Sequence, residues 1–338
     1  MTADVLVTPT GRAWTVRLRH GRALLNFAGS TLLIAVPVFF LATLITFLLG
    51  VASGLDPAAS LAGDNPTPEM VAQIRAQFGL DRPVPVQYLD WMGRLLYGDL
   101  GTSWFNGVPV TELILQRLPV SLSIAGGALL IGLVLGTVLG IASAARAGGW
   151  LDRAVTVFAS TAASLPPFVV AIAMILLFSL WLELLPSAGY VPPSQDPAGW
   201  LRSIAIPAMA LSVDVVAEIA RQLRTGLVAA LSDNYVTGAV VRGLSPRRIL
   251  FVHVLRNGAG PALSILALRV PMLIGGAVVS EAIFNMPGMG RLAADSALRG
   301  DVPVVQGTLV VSIALVLASN LLINVLLGVL QPASRRRN

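Results

Sequence analysis

The fold class follows from residues 118–144, LPVSLSIAGGALLIGLVLGTVLGIASA, a stretch that contains no charged residue. A helix needs about 20 predominantly apolar residues to cross the roughly 30 Å hydrocarbon core of a bilayer, so this stretch predicts a transmembrane helix. Five further apolar stretches satisfy the same condition: 28–51, 154–182, 203–220, 259–284 and 303–330. The sequence therefore predicts an all-α integral membrane protein with six transmembrane helices.

The composition of the chain agrees with a membrane protein and excludes several kinds of active site. Hydrophobic residues make up 55% of the 338 residues and charged residues only 12%, against roughly 25% charged residues in soluble domains. All 23 basic residues are Arg, and without Lys the chain cannot form the phosphate-binding loop of P-loop ATPases. It also has no Cys and only two His, His20 and His253. We therefore expect no catalytic residue, metal site or cofactor site in this chain.

The distribution of Arg predicts the orientation of the chain. With the N-terminus in the cytoplasm, the inner segments carry 15 Arg and the outer segments seven, in line with the positive-inside rule. The four inner segments are 1–27, 145–153, 221–258 and 331–338, so both terminal tails are predicted to be cytoplasmic. The isoelectric point of about 10.8 then reflects an inner face that meets anionic lipid, and no nucleic acid is needed to explain it.

The outer loop 52–117 is too long to be a simple connection. Thr67 or Asn65 is positioned to cap a helix over 68–79, and a second, amphipathic helix is predicted over 84–97. We therefore expect an outer loop that contains short helices at the membrane–water boundary.

Small residues and prolines predict how the spans pack. Gly132, Gly136 and Gly140 recur at every fourth position of the second span, a pattern that lets another helix approach closely. Pro166 in the third span and Pro271 in the fifth each remove a backbone hydrogen bond and predict a kink. The glycine pattern predicts close helix packing with no transport role of its own, whereas the prolines predict kinks that are either static bends or hinges for movement.

Four charged residues are predicted to lie at membrane depth: Asp214, Glu218, Arg269 and Glu281. Each costs about 2.5–3.5 kcal/mol at the centre of an inserted helix, so each needs a partner or a polar cavity. Arg269 and Glu281 are separated by roughly 18 Å along one helix, so the pairing to expect is Arg269 with Asp214 or Glu218. A structural ion pair and a polar translocation pathway both explain such charges. We take these four residues, with Phe284, as candidate pathway or gate residues.

The inner loop 221–258 contains the most specific motif of the chain. Its residues 233–248 read DNYVTGAVVRGLSPRR. This pattern predicts a short helix that ends at Gly243, a turn at Ser245 and Pro246, and a second helix that leads back to the membrane. Because the loop is basic and long, we expect a partner protein to bind there.

This segment resembles the EAA-type coupling loop of ABC importer permeases, in the variant Y-V-x-x-A-x-x-[KR]-G-L of peptide and nickel permeases. Gly243 matches the Gly of that pattern, whereas the Glu, Ile and Pro of the general EAA pattern are replaced by other residues in this chain. The resemblance implies a segment that couples transport to a partner ATPase. Its candidate coupling residues are Asp233, Tyr235, Val236, Ala239, Arg242, Gly243, Leu244 and Ser245.

The resemblance extends over most of the chain. Residues 281–290, EAIFNMPGMG, are similar to a motif E-x-x-F-x-x-P-G-x-G that follows the fifth helix in this family. Two features depart from the family pattern: Arg269 stands where an uncharged residue is expected, and Asn324 with the C-terminal QPASR (331–335) replaces the usual D…D-P-R. Segments of the outer loop also resemble the B-type subunit of peptide permeases: 65–69 (NPTPE), 78–81 (FGLD), 85–88 (PVQY) and 98–101 (GDLG).

The resemblance implies a type I importer fold with its permease core in residues 118–330, in a bacterial inner (plasma) membrane. It implies half of a translocation pathway for short peptides, completed by a homologous C-type permease subunit. It also implies an external substrate-binding protein and two cytoplasmic ATPase subunits, or one fused ATPase chain. ATP and Mg would be bound by those ATPases and not by this chain.

Three alternatives are weighed against this interpretation. The same architecture imports nickel or glutathione, and no residue identified here selects the cargo. An ATP-independent channel or secondary transporter would show inverted repeats, which are not evident. An intramembrane enzyme would need a Ser–His pair or a metal set at membrane depth, whereas His253 lies in the inner loop.

Overall fold

A computed structural model describes residues 33–62 and 66–330 of the chain. Over those residues the regular secondary structure is helical, which confirms the predicted all-α class. The helices are α1 (Leu33–Ala52), α2 (Pro57–Leu61), α3 (Pro68–Phe78), α4 (Val84–Leu96), α5 (Val110–Ala145), α6 (Trp150–Ser164), α7 (Pro167–Met174), α8 (Pro197–Leu231), α9 (Asn234–Val241), α10 (Pro246–Arg248), α11 (Leu255–Gly258), α12 (Gly260–Ile283), α13 (Met289–Leu298) and α14 (Val302–Leu330). Two π-helices, π1 (Ile175–Trp181) and π2 (Ile249–Val254), continue α7 and precede α11.

Each of the six apolar stretches contains helix in the structure. Within residues 33–62 and 66–330, five helices are long and apolar enough to cross a membrane, namely α1, α5, α8, α12 and α14. The sixth stretch is broken rather than continuous, because α6 and α7 are bent by 108° relative to each other. The break falls at Leu165 and Pro166, which both have extended backbone angles. Proline disfavours helical geometry in the residue before it, so the Pro166–Pro167 pair accounts for a turn far sharper than a kink.

Helix α8 is longer than the span predicted over 203–220. It runs to Leu231, so its last eleven residues belong to the segment that was assigned to the inner loop. The predicted boundary followed the loss of apolar character at Arg221, but residues 221–231 contain no Pro, and the one Gly among them, Gly226, lies within the helix. At about 1.5 Å per residue, the 35 residues of α8 extend well beyond one membrane thickness.

The short helices of the outer loop lie close to their predicted positions. Helix α3 begins after Thr67, whose hydroxyl accepts a hydrogen bond from the Met70 amide at 3.3 Å. It ends at Gly79, whose φ of +67° is left-handed. Helix α4 covers the second predicted helix with a difference of one residue. The alternative cap, Asn65, lies outside the described residues.

The bundle core is formed mainly by α5 against α8. The glycine stripe of α5 faces α8 directly: a Cβ added to Gly132 would lie 2.5 Å from Val215, and one added to Gly136 would lie 2.8 Å from Ile219. Distances this short leave no room for any side chain, so the two backbones are as close as the sequence allows. The predicted close helix contact is therefore confirmed, and its partner is the charged helix α8.

Candidate coupling and translocation sites

The segment around α9 has the predicted form of helix, glycine stop and turn. The amide of Gly243 donates to the Val240 carbonyl at 2.9 Å and that of Leu244 to the Ala239 carbonyl at 3.2 Å. These two bonds, with the left-handed φ of +76° at Gly243, make a Schellman motif. The hydroxyl of Ser245 then caps the next helix by accepting from the Arg248 amide.

Helix α9 has one buried face and one exposed face. Val236 and Ala239 are buried, in a cluster with residues from the ends of α5, α8 and α12 and from π2. In the last turn of α9, Val240 and Val241 are 59% and 81% exposed. Apolar side chains exposed next to each other beyond the membrane-spanning part of a helix indicate a protein contact. We call Val240, Val241, Arg242 and Gly243 the coupling face.

The other candidate coupling residues occupy the edges of this segment. Asp233 and Ser245 are exposed, whereas Tyr235 and Leu244 are half-buried and pack against the cluster below α9. The hydroxyl of Tyr235 is buried without a hydrogen-bond partner among the residues the structure describes. All eight predicted coupling residues thus lie in one continuous segment. Four of them are exposed on it: Asp233, Arg242, Gly243 and Ser245.

A close backbone contact joins α8 to α11. Gly226 of α8 touches Gly258 of α11 so closely that a Cβ on Gly226 would overlap the Gly258 carbonyl oxygen. Conversely, a Cβ on Gly258 would lie 2.7 Å from the Gly226 carbonyl oxygen. Two backbones therefore meet here with no side chain between them, which packs the segment that returns through π2 and α11 closely against α8.

An ion pair that the sequence analysis did not predict links α6 to α8. It joins Asp152 of α6 to Arg224 of α8. The guanidinium of Arg224 donates two hydrogen bonds, of 2.6 and 2.8 Å, to the two carboxylate oxygens of Asp152 on α6. Asp152 also accepts from the Ser143 hydroxyl at 2.5 Å and the Gly148 amide at 2.8 Å, and it is 3% exposed. The two partners are 72 residues apart in sequence, so only their opposite charges hinted at the pair.

Three of the four charges predicted at membrane depth form a cluster between α8 and α12. Arg269 of α12 forms an ion pair with Asp214, and its second amine nitrogen lies 3.6 Å from Glu218. Glu218 also accepts from Arg221 and, at 2.9 Å, from the Gln222 amide. We call Asp214, Glu218 and Arg269 the charge cluster.

The charge cluster is not closed off on all sides. The Asp214 side chain is 42% exposed, whereas that of Glu218 is 6% exposed. Met272, one helical turn after Arg269 on α12, is 62% exposed. A carboxylate facing lipid hydrocarbon is costly, so this face of the α8–α12 pair requires water or a second protein. The predicted pairing is therefore confirmed, and the exposed edge indicates where a polar pathway would lie.

Glu281 lies at the opposite end of α12 from α9 and is fully buried. Its carboxylate accepts from the Ser121 hydroxyl at 2.5 Å and from the Arg291 amide at 2.9 Å. The Ser121 oxygen in turn accepts from the Met289 amide at 2.8 Å. A Cβ on Gly288 would overlap the carboxyl group. Glu281 thus satisfies the amides that begin α13, which explains why a Glu precedes the P-G-x-G turn by six residues.

Phe284 is buried beside that turn. It is 1% exposed and belongs to the largest apolar cluster, and its carbonyl accepts from the Gly189 amide at 3.0 Å. The contacts of Glu281 and Phe284 are therefore packing contacts within this chain. Their role as pathway or gate residues stays a prediction that no contact in the structure supports.

No group of three or more His, Asp or Glu side chains suited to a metal ion occurs in residues 33–62 and 66–330. The features left are a bundle of long apolar helices, an exposed face on α9, and a charge cluster between α8 and α12. They define a membrane-embedded transport subunit that works with other proteins.

Comparison with known proteins agrees with this class. Residues 136–336 match the profile of the binding-protein-dependent transport system inner membrane component family, and residues 24–125 match the profile of its N-terminal region. The chain therefore belongs to this family, and it is a multi-pass protein of the bacterial inner membrane.

Among curated proteins, the chain is 38% identical to a putative peptide transport system permease protein of Brucella abortus, over 89% of this chain and 96% of that one. It is 32% identical to the di/tripeptide transport system permease protein DppB of Pseudomonas aeruginosa, over 93% and 100% of the two chains. It is 30% identical to the dipeptide transport system permease protein DppB of Escherichia coli, with the same coverage.

Among solved structures, an inward-facing structure of the MetNI methionine ABC transporter is similar, with a TM-score of 0.54 and 17% identity. The match covers 65% of this chain and 97% of that one. At this level of identity the likeness concerns the fold, and it confirms the importer permease architecture.

Proposed function

We propose that this chain forms half of the translocation pathway of an ABC importer for short peptides, which an external substrate-binding protein delivers. The observation that carries the proposal is the exposed coupling face on α9, which directly follows α8. It is supported by the family membership and by the peptide permease names of relatives that align over most of the chain.

We infer the partners from three features: the absence of Lys, the exposed coupling face, and the exposed edge of the charge cluster. Without a Lys it cannot form a P-loop of its own, so energy must come from a separate ATPase that meets the coupling face. We propose two ATPase subunits, or one fused ATPase chain, which bind ATP and Mg. A homologous C-type permease completes the pathway by covering the exposed edge of the charge cluster.

In the mechanism that we propose, α8 transmits displacement from the coupling face to the charge cluster. When ATP closes the ATPases, they displace the coupling face, and the Gly226–Gly258 contact transmits that displacement to α8 and α12. The charge cluster lies on these two helices, so the displacement changes which end of the pathway is open. Asp214, Glu218 and Arg269 would offer transient partners to the charged ends of a peptide. Arg224 and Asp152 would make α6 follow the same movement.

Purified complexes in proteoliposomes test the proposal. We expect import of a radiolabelled tripeptide that requires both ATP and the binding protein. Unlabelled nickel or glutathione should not compete. Import without ATP would contradict the importer mechanism, and competition by nickel or glutathione would replace the peptide cargo with that substrate.

The exposed edge of the charge cluster can be probed separately, because the chain has no Cys of its own. In a Met272→Cys variant, a water-soluble maleimide should label the thiol, since maleimides react with thiolates in water. Val134 of α5 is 51% exposed on the bundle and serves as the matched control. Labelling of Val134→Cys but not of Met272→Cys would place the pathway on a different face.

A further inference from the structure

Helix α4 of the outer loop exposes an apolar face. The exposed fractions are 40% for Val86, 65% for Leu89, 81% for Leu96 and 94% for Tyr97, which caps the end of the helix. Residues three, four and seven positions apart lie on the same side of a helix, so these four side chains form one surface. Exposed apolar side chains that adjoin one another mark a contact with a protein or with a membrane. We call these four residues the α4 apolar face.

A charged edge runs beside the α4 apolar face. Asp90 and Arg94, one helical turn apart, are both exposed, and Arg82 donates to Asp90 at 2.6 Å. At 3.6 residues per turn, Asp90 and Arg94 lie between the apolar face and the side that holds the buried Trp91. An apolar face bordered by charged residues is typical of a helix that lies in the plane of a membrane interface.

The buried side of α4 contacts α1 well inside the apolar part of that helix. The Tyr88 hydroxyl lies 2.9 Å from the Thr43 hydroxyl, and the Tyr88 ring packs edge-on against Phe47 with ring centroids 5.5 Å apart. Thr43 precedes Ala52, the last residue of α1, by a distance of about 13.5 Å along the helix. A tyrosine side chain is shorter than this distance. The α4 backbone at Tyr88 therefore lies inside the outer end of α1, at a level where α1 is still apolar.

The helix that α4 contacts faces lipid. Only 11% of the apolar segment of α1 is buried inside the molecule. Because α4 packs against this helix at membrane depth, lipid surrounds both helices. The contact between Tyr88 and Thr43 agrees with that setting, since polar side chains in a membrane form hydrogen bonds across helices. A soluble protein approaches from the aqueous side, where α4 presents its charged edge and not its apolar face.

We propose that α4 lies in the membrane interface, with the α4 apolar face among the acyl chains and with Asp90 and Arg94 at the headgroups. Tyr97 fits the boundary, because a tyrosine presents its ring to lipid and its hydroxyl to water. The partner of this surface is the bilayer itself, which holds the outer loop at a fixed depth beside α1. The sequence predicts short helices near the boundary, and the structure assigns the face that enters lipid. The inference depends on neither the peptide cargo nor the ATPase.

Site-directed spin labelling tests the proposal, because the chain has no Cys. A nitroxide is attached to a Leu89→Cys or a Leu96→Cys variant in the assembled transporter, in nanodiscs and with partner subunits free of Cys. Collisions of the nitroxide with oxygen, which dissolves in hydrocarbon, are compared with collisions with a polar nickel chelate. We expect oxygen to exceed the chelate at least about threefold at both positions, because a polar solute is excluded from hydrocarbon.

The charged edge supplies the matched control on the same helix. Labels on Asp90→Cys and Arg94→Cys should collide more often with the nickel chelate than with oxygen. Loss of the exposed ion pair between Arg82 and Asp90 should leave the fold intact, since such pairs contribute little.

Positions on α1 calibrate the depth. Leu44 is adjacent to Thr43 and Val51 lies at the outer end of α1, and both are exposed. The ratio of oxygen to chelate collisions should be larger for Leu44→Cys than for Val51→Cys. The ratio for Leu89→Cys should be at least as large as that for Val51→Cys.

Access of the nickel chelate to Leu89→Cys and Leu96→Cys would overturn the proposal, because the α4 apolar face would then lie in water. An immobilised label that neither reagent reaches would also overturn it, because a protein such as the second permease or the binding protein would then cover the face. A smaller ratio at Leu89→Cys than at Val51→Cys would contradict the depth. A transporter that imports peptide with ATP and yet fails these tests retains the proposed function and loses only this membrane contact.

Discussion

Two turns at opposite ends of the bundle each contain a glycine, but their surroundings differ: one glycine is enclosed by its own chain and the other is surrounded by free space. Gly288, in the turn before α13, is walled in by the carboxyl group of Glu281, so any side chain there would collide. Gly243, in the turn after α9, has nothing within 4 Å of where a Cβ would stand and is required only for its positive φ. The first turn is completed by its own chain. The second is left open on an exposed face, where the proposed ATPase would bind.

The largest effect should come from filling the closed turn. Gly288→Val places a side chain where the Glu281 carboxylate lies, which strips the amides of α13 and the Ser121 hydroxyl of their acceptor. We expect the amount of chain in the membrane to fall at least about tenfold, because several buried hydrogen bonds fail together. Immunoblots of membrane fractions measure this.

Gly275 of α12, which has nothing within 4 Å of its Cβ position, supplies the control. Gly275→Val should leave the amount of chain near the wild-type value. If Gly288→Val accumulated equally well, the turn before α13 would not be closed in the way the structure shows.

Filling the open turn should leave the chain in place and remove its activity. Gly243→Trp adds bulk to the coupling face, where the structure has free space but an ATPase would need close contact. We expect membrane levels within about twofold of wild type, since strain at a positive φ costs only about 1–2 kcal/mol. ATP-dependent peptide uptake should fall at least tenfold in this proposal, as measured with radiolabelled tripeptide.

A matched control exists at Gly148, which also has a positive φ and free space around it but lies outside the coupling face. Uptake should survive Gly148→Trp. Equal loss of uptake in both variants would mean that bulk anywhere at this end of the bundle is harmful, and the comparison of open and closed turns would fail.

The next effect concerns the buried carboxylate of Asp152 on α6, which pairs with Arg224 of α8. Asp152→Ala removes the carboxylate that accepts from Arg224, Ser143 and Gly148. Leaving these donors unpaired should cost about 1–3 kcal/mol, which is a fall of a few degrees in thermal midpoint for a chain of this size. Thermal unfolding in detergent, followed by intrinsic fluorescence, measures it. Asp90→Ala, in an exposed pair with Arg82, should shift the midpoint much less.

The smallest effect is expected in the outer loop, at an exposed ion pair. Arg75 donates to Asp56 at 2.7 Å and holds the pKa of that carboxyl below its ordinary value. A lowered pKa means that this stabilisation is present above the ordinary pKa of Asp and is lost as the pH falls through the lowered value. Arg75→Gln should therefore unfold slightly earlier than wild type at pH 7 and identically near pH 2. A difference that grew on acidification would contradict the assigned sign.

The sequence predicted the features that depend on local patterns. Apolar length located the spans, Thr67 located the start of α3, and the Gly243–Ser245 pattern located the turn after α9. It also predicted the pairing of Arg269, because a charge in hydrocarbon needs a partner and few were available.

What the sequence could not predict depends on contacts between distant segments. Asp214 and Glu281 looked alike as acids at membrane depth, yet one is half-exposed beside an arginine and the other is enclosed by Ser121 and the α13 amides. The 108° turn at Pro166 and the pairing of Asp152 with Arg224 likewise depend on how the helices pack. Neither composition nor local sequence pattern predicts how these distant helices pack.

The central claim is that the coupling face meets the ATPase, and a single cross-linking measurement tests it. Because the chain has no Cys, Val241→Cys can carry a maleimide–benzophenone in the assembled transporter. Leu96→Cys on α4 is the control, since both positions are 81% exposed. We predict that irradiation joins the ATPase to position 241 and not to position 96. An ATPase adduct at neither position, or equally at both, would contradict the account.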